Sequence, residues 1–305
     1  MFTIEILKVR HAYDLTAPTT GTHALVFIHG WLLSRRYWQP LTERLAPDYQ
    51  CLAYDLRGFG QSHSSPVEPS ICQQNSLSLN PTSFSSIVAS LPASRYNPAA
   101  YAQDLVVLLQ QLNITSAWLI GHSLGGSIAL WAAEQLPEYV KGVICINAGG
   151  GIYIKEAFEQ FRYVGQQLLK VRPRWLCQLP LIDLLFTRAN VARPIARCWG
   201  RQRVIDFVMA NPEAAVGTLL DSTTEDEINR LPQVVSQLKQ PVYFLAGAQD
   251  KIMEPKYVRH LASFHPLFQA CGDNVVEISH CGHLAMLEQP DVVATLVRSI
   301  LAQHE

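Results

Sequence analysis

Three residue types that together make an alcohol oxygen reactive occur in this chain in a fixed order: a serine, an aspartate and a histidine, each just after an apolar run. The serine is Ser123. Residues 117–120 (AWLI) lead into Gly121-His122-Ser123-Leu124-Gly125, a G-x-S-x-G pattern, and helical spacing follows from Leu124 to about position 136. Strand, tight turn and helix in that order place a serine hydroxyl at the tip of a strained turn. Gly121 and Gly125 suit it because a Cβ at either place would meet the neighbouring strand or helix. Strain of this kind persists only where the surrounding structure enforces it, which points to function. The pattern alone is weak, and its flanking strand and helix give it weight.

A serine hydroxyl is a poor nucleophile at neutral pH, so it needs a base within reach and an acid to orient that base. On a parallel sheet these groups belong on loops at the carboxyl ends of strands. Asp250 follows VYFLAGAQ, and His283 lies in the loop His280-Cys281-Gly282-His283 after VVEIS, so the order is Ser, Asp, His. Asp250 also suits a helix N-cap, and His283 competes with His280. His283 is favoured as the base because it stands at the mouth of the helix LAMLEQP, whereas His280, nearer the strand end, braces the loop. An oxyanion needs two N–H donors. Leu124, at a helix N-terminus, is one candidate. Trp31, after His29-Gly30 at the end of ALVFI, is the other. His122, beside the nucleophile, packs in the turn rather than acting as base. With His29 and Gly30 it is expected to border the substrate.

The elements that must hold these groups can be read along the chain. Residues 2–10 and 11–15 alternate as two short strands. Ala24–Ile28 is apolar throughout, as a strand buried on both faces would be. Residues 37–45 have helical spacing, Cys51–Tyr54 is a strand, and residues 101–112 return to helix with Leu105, Leu108, Leu109 and Leu112 on one stripe. Between them, residues 63–97 are rich in Ser, Pro, Asn and Gln and read as a mobile surface loop inserted in the core. Val140–Ile146 is the sixth strand. Residues 152–230 carry helical patterns and no strand. Strands resume at 242–246 and 275–278, and a last helix covers about 291–303. Alternation of strand and helix predicts a doubly wound, mostly parallel α/β sheet. It also predicts a core domain of residues 1–151 and 231–305, and a helical cap of residues 152–230 inserted after the sixth strand.

Composition supplies ample core: 49% of residues are apolar and 16% charged. The net charge of −1 gives no case for nucleic acid. Seven cysteines, an odd number and scattered, several inside apolar runs, suit a reducing compartment. The N-terminus alternates like a strand and lacks a signal-peptide pattern, and no apolar stretch is long enough to span a bilayer. A cytoplasmic location is therefore expected. No cofactor, no metal and no obligate protein partner is implied.

The stretches FIHGW at 27–31, YDLRGFGQS at 54–62, IGHSLGG at 120–126, AGAQDKIMEP at 246–255 and CGHLAMLEQP at 281–290 resemble, in order, those of the α/β-hydrolase superfamily, in its branch of small lid-bearing serine hydrolases of the esterase and lipase kind. The resemblance implies an eight-stranded sheet with helices on both faces and a helical cap over the catalytic end. It carries nucleophile onto Ser123, acid onto Asp250, base onto His283 and oxyanion donors onto Trp31 and Leu124. Serine rather than aspartate at 123 argues against a dehalogenase or epoxide hydrolase. The departure is the 63–97 insertion, where relatives have a short connection. The implied chemistry is two-step acyl transfer on a carboxylic ester. Carbon–carbon bond hydrolysis, cofactor-free haloperoxidase, thioesterase or aminopeptidase chemistry would use the same residues. A ligand-binding receptor is the reading from another class, and an intact triad argues against it.

One feature of the cap bears on substrate. Residues 160–205 hold nine basic residues and a single acid, Asp183, interleaved with apolar runs such as WLCQLPLIDLLF. A solvated lid accounts for this. So does an element resting on an anionic membrane and admitting a lipophilic ester; the resemblance to dephytylating relatives of this fold then implies an ester of a long-chain or isoprenoid alcohol.

Overall fold

The computed structural model describes residues 1–62, 95–149, 155–269 and 272–304. Eight strands form one sheet: β1 Phe2–Ile6, β2 Val9–Leu15, β3 Ala24–Ile28, β4 Cys51–Tyr54, β5 Ala117–His122, β6 Val140–Ile146, β7 Val242–Gly247 and β8 Val275–Ile278. Their spatial order is β1-β2-β4-β3-β5-β6-β7-β8. The β1–β2 and β2–β4 pairs are antiparallel and all others parallel. The expected break between the first two strands shifts: Leu7 and Lys8, at φ +48° and +66°, make a two-residue hairpin turn. No Asn-Gly or Asp-Gly marks that turn, so alternation runs through it in the sequence.

Adjacent residues of the central strand β3 feed opposite cores, which is why it is apolar at every position. Val26 and Ile28 enter one core with helices α2 (Pro98–Gln111) and α3 (Leu124–Gln135). Leu25 and Phe27 enter the other, with α1 (Gln39–Leu45) and, at the chain end, α11 (Pro290–Leu301). Helix α2 starts three residues earlier than its leucine stripe indicates, because the Asn97 side chain caps it by accepting from the Ala100 N–H at 2.8 Å. Of the expected 63–97 loop, residues 63–94 lie outside the described residues.

Between β6 and β7 the chain is helical: α4 Lys155–Lys170, a 3-10 turn Arg174–Gln178, α5 Ile182–Phe186, α6 Arg197–Met209, α7 Pro212–Asp221 and α8 Glu225–Gln237. The boundary expected at 230 falls inside α8. Its buried Leu231, Val234 and Val235 pack into the same core as α3, and the helix carries Pro232 through its middle. Burial of that stripe outweighs the usual cost of an internal proline, about 3 kcal/mol. Short helices α9 (Pro255–Ala262) and α10 (Ala285–Glu288) flank β8.

Candidate active site

Parallel strands β3, β5, β7 and β8 deliver their loops to one edge of the sheet. Strand β5 ends at His122, and α3 begins at Leu124, leaving Ser123 as the single residue of the turn, at φ +52° and ψ −120°. A non-glycine residue there costs about 1–3 kcal/mol and needs enforcement from around it. The two glycines permit the approach that enforces it. A Cβ on Gly121 would lie 2.2 Å from the Gly125 carbonyl oxygen, and one on Gly125 would lie 2.1 Å from the Ile28 carbonyl oxygen. The Ser123 N–H donates to Ile146 O at 3.0 Å, fixing the turn to β6. Ser123 itself is half-buried.

Asp250 and His283, 33 positions apart, come together. The His283 ring Nδ1–H donates to Asp250 Oδ2 at 2.7 Å. The same oxygen accepts from Asn147 Nδ2 at 2.7 Å, and Oδ1 accepts the N–H groups of Ile252 and Met253 at 2.8 and 3.0 Å. Burial pushes the Asp250 carboxyl up, but the neighbouring imidazole and these donors outweigh it and hold the group below its ordinary value. A carboxylate with four donors stays ionised and fixes the imidazole tautomer.

His122 ties this pair to the serine turn. Its Nε2–H donates to the His283 carbonyl at 2.7 Å, and the two rings lie 4.8 Å apart. Burial and the neighbouring His283 push the His122 imidazole down to about 3, so it is neutral. At 1% exposure it is buried against His283, whereas the sequence reading has it border the substrate. His29 also departs from the sequence expectation. It is fully buried, accepting the Leu56 N–H on Nε2 at 3.0 Å and donating from Nδ1 to Gly30 O at 2.8 Å. With both nitrogens engaged by backbone, it braces the loop after β3 against the loop after β4. Gly30 is buried, and a Cβ there would come within 2.9 Å of His122 Nδ1. That closeness seats the Trp31 loop against the serine turn. The Trp31 and Leu124 N–H groups donate to no other group among the described residues. His280 is exposed at φ +53°, and its carbonyl accepts from Gln289 Nε2 at 3.1 Å.

A family model for the alpha/beta hydrolase fold matches residues 23–290. The chain belongs to the alpha/beta hydrolase fold family. As a member it is an enzyme of the hydrolase kind. It is 28% identical over 288 residues to a pimeloyl-[acyl-carrier protein] methyl ester esterase of Xanthomonas campestris, covering 92% of this chain and 95% of that protein. It is 26% identical over 289 residues to a 2-succinyl-6-hydroxy-2,4-cyclohexadiene-1-carboxylate synthase of Serratia proteamaculans, covering 91% and 92%. A thermophilic esterase from Thermogutta terrifontis superposes over 100% of both chains with a TM-score of 0.71 at 21% identity, a likeness of fold.

Two groups that this hydrolase-fold site uses escape a reading of the sequence. Asn147, at the end of β6 with φ +50°, reaches both Asp250 and Gly282 O, the latter at 3.0 Å. Its sign in the sequence is an asparagine at a strand end before glycines. Glu288 accepts four N–H groups: Gly282 at 2.9 Å, Leu284 at 3.1 Å, Ala192 at 2.7 Å and Arg193 at 3.2 Å. It thereby joins the His283 loop to the helical insertion, and Asn190 O accepts the His283 N–H at 2.9 Å. On the opposite side, Trp31 Nε1 donates to Ala215 O at 2.9 Å and Ser34 Oγ to Asp206 Oδ2 at 2.9 Å.

Proposed function

We propose that the protein hydrolyses a carboxylic ester of a lipophilic substrate through a covalent acyl-serine intermediate. The observation that carries this reading is the Asp250–His283 pair, 2.7 Å apart and tied through His122 to a serine held in a strained turn. His283 takes the proton from the Ser123 hydroxyl as its oxygen attacks the ester carbonyl carbon. The N–H groups of Trp31 and Leu124 receive the oxyanion, where loss of one such donor costs about 100- to 1,000-fold in rate. His283 then protonates the departing alcohol, and water, deprotonated by the same imidazole, releases the acid. Asp250 remains charged throughout and stabilises the imidazolium.

The apolar character of the surroundings supports the lipophilic substrate. Half-buried apolar residues adjoin the site residues along the chain: Leu32 next to Trp31, Leu124 next to Ser123, and Met253 three residues after Asp250, while the Trp31 indole donates to Ala215 O beside Val216 of the insertion. On this reading residues 152–230 act as a lid. A fluorophosphonate probe and a panel of p-nitrophenyl esters of increasing acyl length test it. The expected result is stoichiometric labelling, abolished in Ser123→Ala, with kcat/KM rising from acetate toward medium chains. Full labelling of Ser123→Ala, or no turnover of any ester by wild-type protein kept free of the probe, would overturn it.

A further inference from the structure

Exposed apolar surface on this molecule is concentrated in one segment. Among the described residues, nine of the fifteen exposed large hydrophobic side chains fall between positions 163 and 185. Single exposed hydrophobics are ordinary, whereas such a concentration marks an interaction surface. Helix α4 shows how it arises. Val164, Leu168 and Val171, at spacings of four and three, form an outward stripe, the last 73% exposed. Gly165 and Leu169 face inward, where a Cβ on Gly165 would come within 2.8 Å of Leu219. The helix and the residue after it are thus apolar on both the packed and the unpacked side. Trp175, at 57%, and Leu185, at 68%, continue the exposure into the next two elements.

Between positions 160 and 205 cations outnumber acids nine to one, and the exposed Glu159 stands one turn before Tyr163. Lys170, Arg174, Arg188 and Arg201 are exposed, and among the described residues none is in an ion pair. Asp183, the single acid between 160 and 205, is occupied by Arg197 at 2.6 Å. No described helix is long and apolar enough to cross a membrane. Protruding Trp and Leu among unneutralised cations complement a surface that is anionic outside and apolar just beneath.

We propose that this face of the insertion docks on an anionic lipid bilayer. Trp175, Leu185 and the α4 stripe enter the headgroup–acyl boundary, while Lys170, Arg174 and Arg188 meet lipid phosphates. The further consequence, that the bilayer supplies the lipophilic ester, rests on the function proposed above; the docking does not.

Co-sedimentation of the full chain with vesicles of equimolar phosphatidylglycerol and phosphatidylcholine, against phosphatidylcholine alone, tests the docking. Binding is expected to the anionic vesicles only, and to weaken as salt screens the cations. Arg174→Gln and Arg188→Gln should each lower affinity about fivefold, the effect of removing one cation near such a surface. Trp175→Ser should lower it while leaving the salt dependence unchanged. All three variants should hydrolyse a soluble short-chain ester at the wild-type rate, which shows that they fold. Absence of sedimentation with anionic vesicles at low salt would overturn the proposal. So would a dimer by light scattering that Trp175→Ser splits, since the face would then be a seam between two copies. Vesicle binding by a protein that cleaves no ester would refute the hydrolytic reading and leave the docking intact.

Discussion

Replacing Asn147 by glycine is the sharpest probe of the site. Glycine keeps the φ of +50° at no steric cost, so the change removes the side chain without straining the backbone. It takes one of four donors from the Asp250 carboxylate and frees the Gly282 carbonyl of the base loop. A hydrogen bond to a charged group contributes about 1.5–3 kcal/mol, or roughly one to two pKa units on the carboxyl. The Asp250 group sits below its ordinary value, so it contributes stability that is present above the unfolded pKa of 3.8 and lost as pH falls through the folded value. Losing the Asn147 amide raises the folded value, and the acid unfolding midpoint should move to higher pH. At pH 7.5 Asp250 stays ionised, so the kinetic effect comes from misalignment of His283. We expect kcat on a p-nitrophenyl ester to fall about tenfold to a hundredfold, the same energy expressed as rate, with KM little changed. Asn147→Asp, equal in shape but placing a second carboxylate on the same oxygen, should be worse. Wild-type kcat together with an unmoved acid midpoint in Asn147→Gly would refute the reasoning.

Three other outcomes follow from the same contacts. Gly125→Ala puts a Cβ 2.1 Å from the Ile28 carbonyl oxygen, a backbone atom that cannot rotate away; a loss of about 1–3 kcal/mol in thermal stability and loss of fluorophosphonate labelling are expected. Glu288→Ala leaves four N–H groups without their acceptor, so the melting midpoint and kcat should fall together, measured by calorimetry and steady-state kinetics. Burial pushes the Asp206 carboxyl up to about 6. Its contribution is therefore full below 3.8 and lost as pH rises through about 6, and Asp206→Asn should gain on the order of 1–3 kcal/mol over wild type at pH 7.5 with much less gain at pH 4.5. Equal differences at the two pH values, read by thermal melts, would count against that assignment.

What was legible in the sequence was whatever one segment determines by itself. Ala24–Ile28 and 117–120 are apolar at every position, and Val140–Ile146 is so from Val143 on, because both faces are covered there; that pattern survives without knowledge of neighbours. Ser123 was legible because its turn needs glycines on both sides, and the strands before Asp250 and His283 made them candidates. Partnerships between distant loops were not legible. Asn147 looks like an ordinary strand-end asparagine until Asp250 arrives 2.7 Å away, and Glu288 looks like a solvated helix-end acid until four N–H groups converge on it. His29 misled for the same reason: a histidine after a strand at this edge could face either way, and only the Leu56 N–H and the Gly30 carbonyl turn it inward. Burial of Leu231 and Val234 decided the extent of α8 against the local signal of Pro232.

The helical insertion is stitched to the sheet edge on two flanks: at Ala215 and Asp206 to the segment that carries Trp31, and at Asn190 and Ala192 to the segment that carries His283. Raising it as a rigid piece would tug on both segments in one stroke. A guest admitted by side-chain rearrangement alone leaves the edge set, whereas one bulky enough to prise the insertion off unsets it on entry. On the function proposed above, sieving by girth and keeping the reactive groups in register would be a single mechanical property.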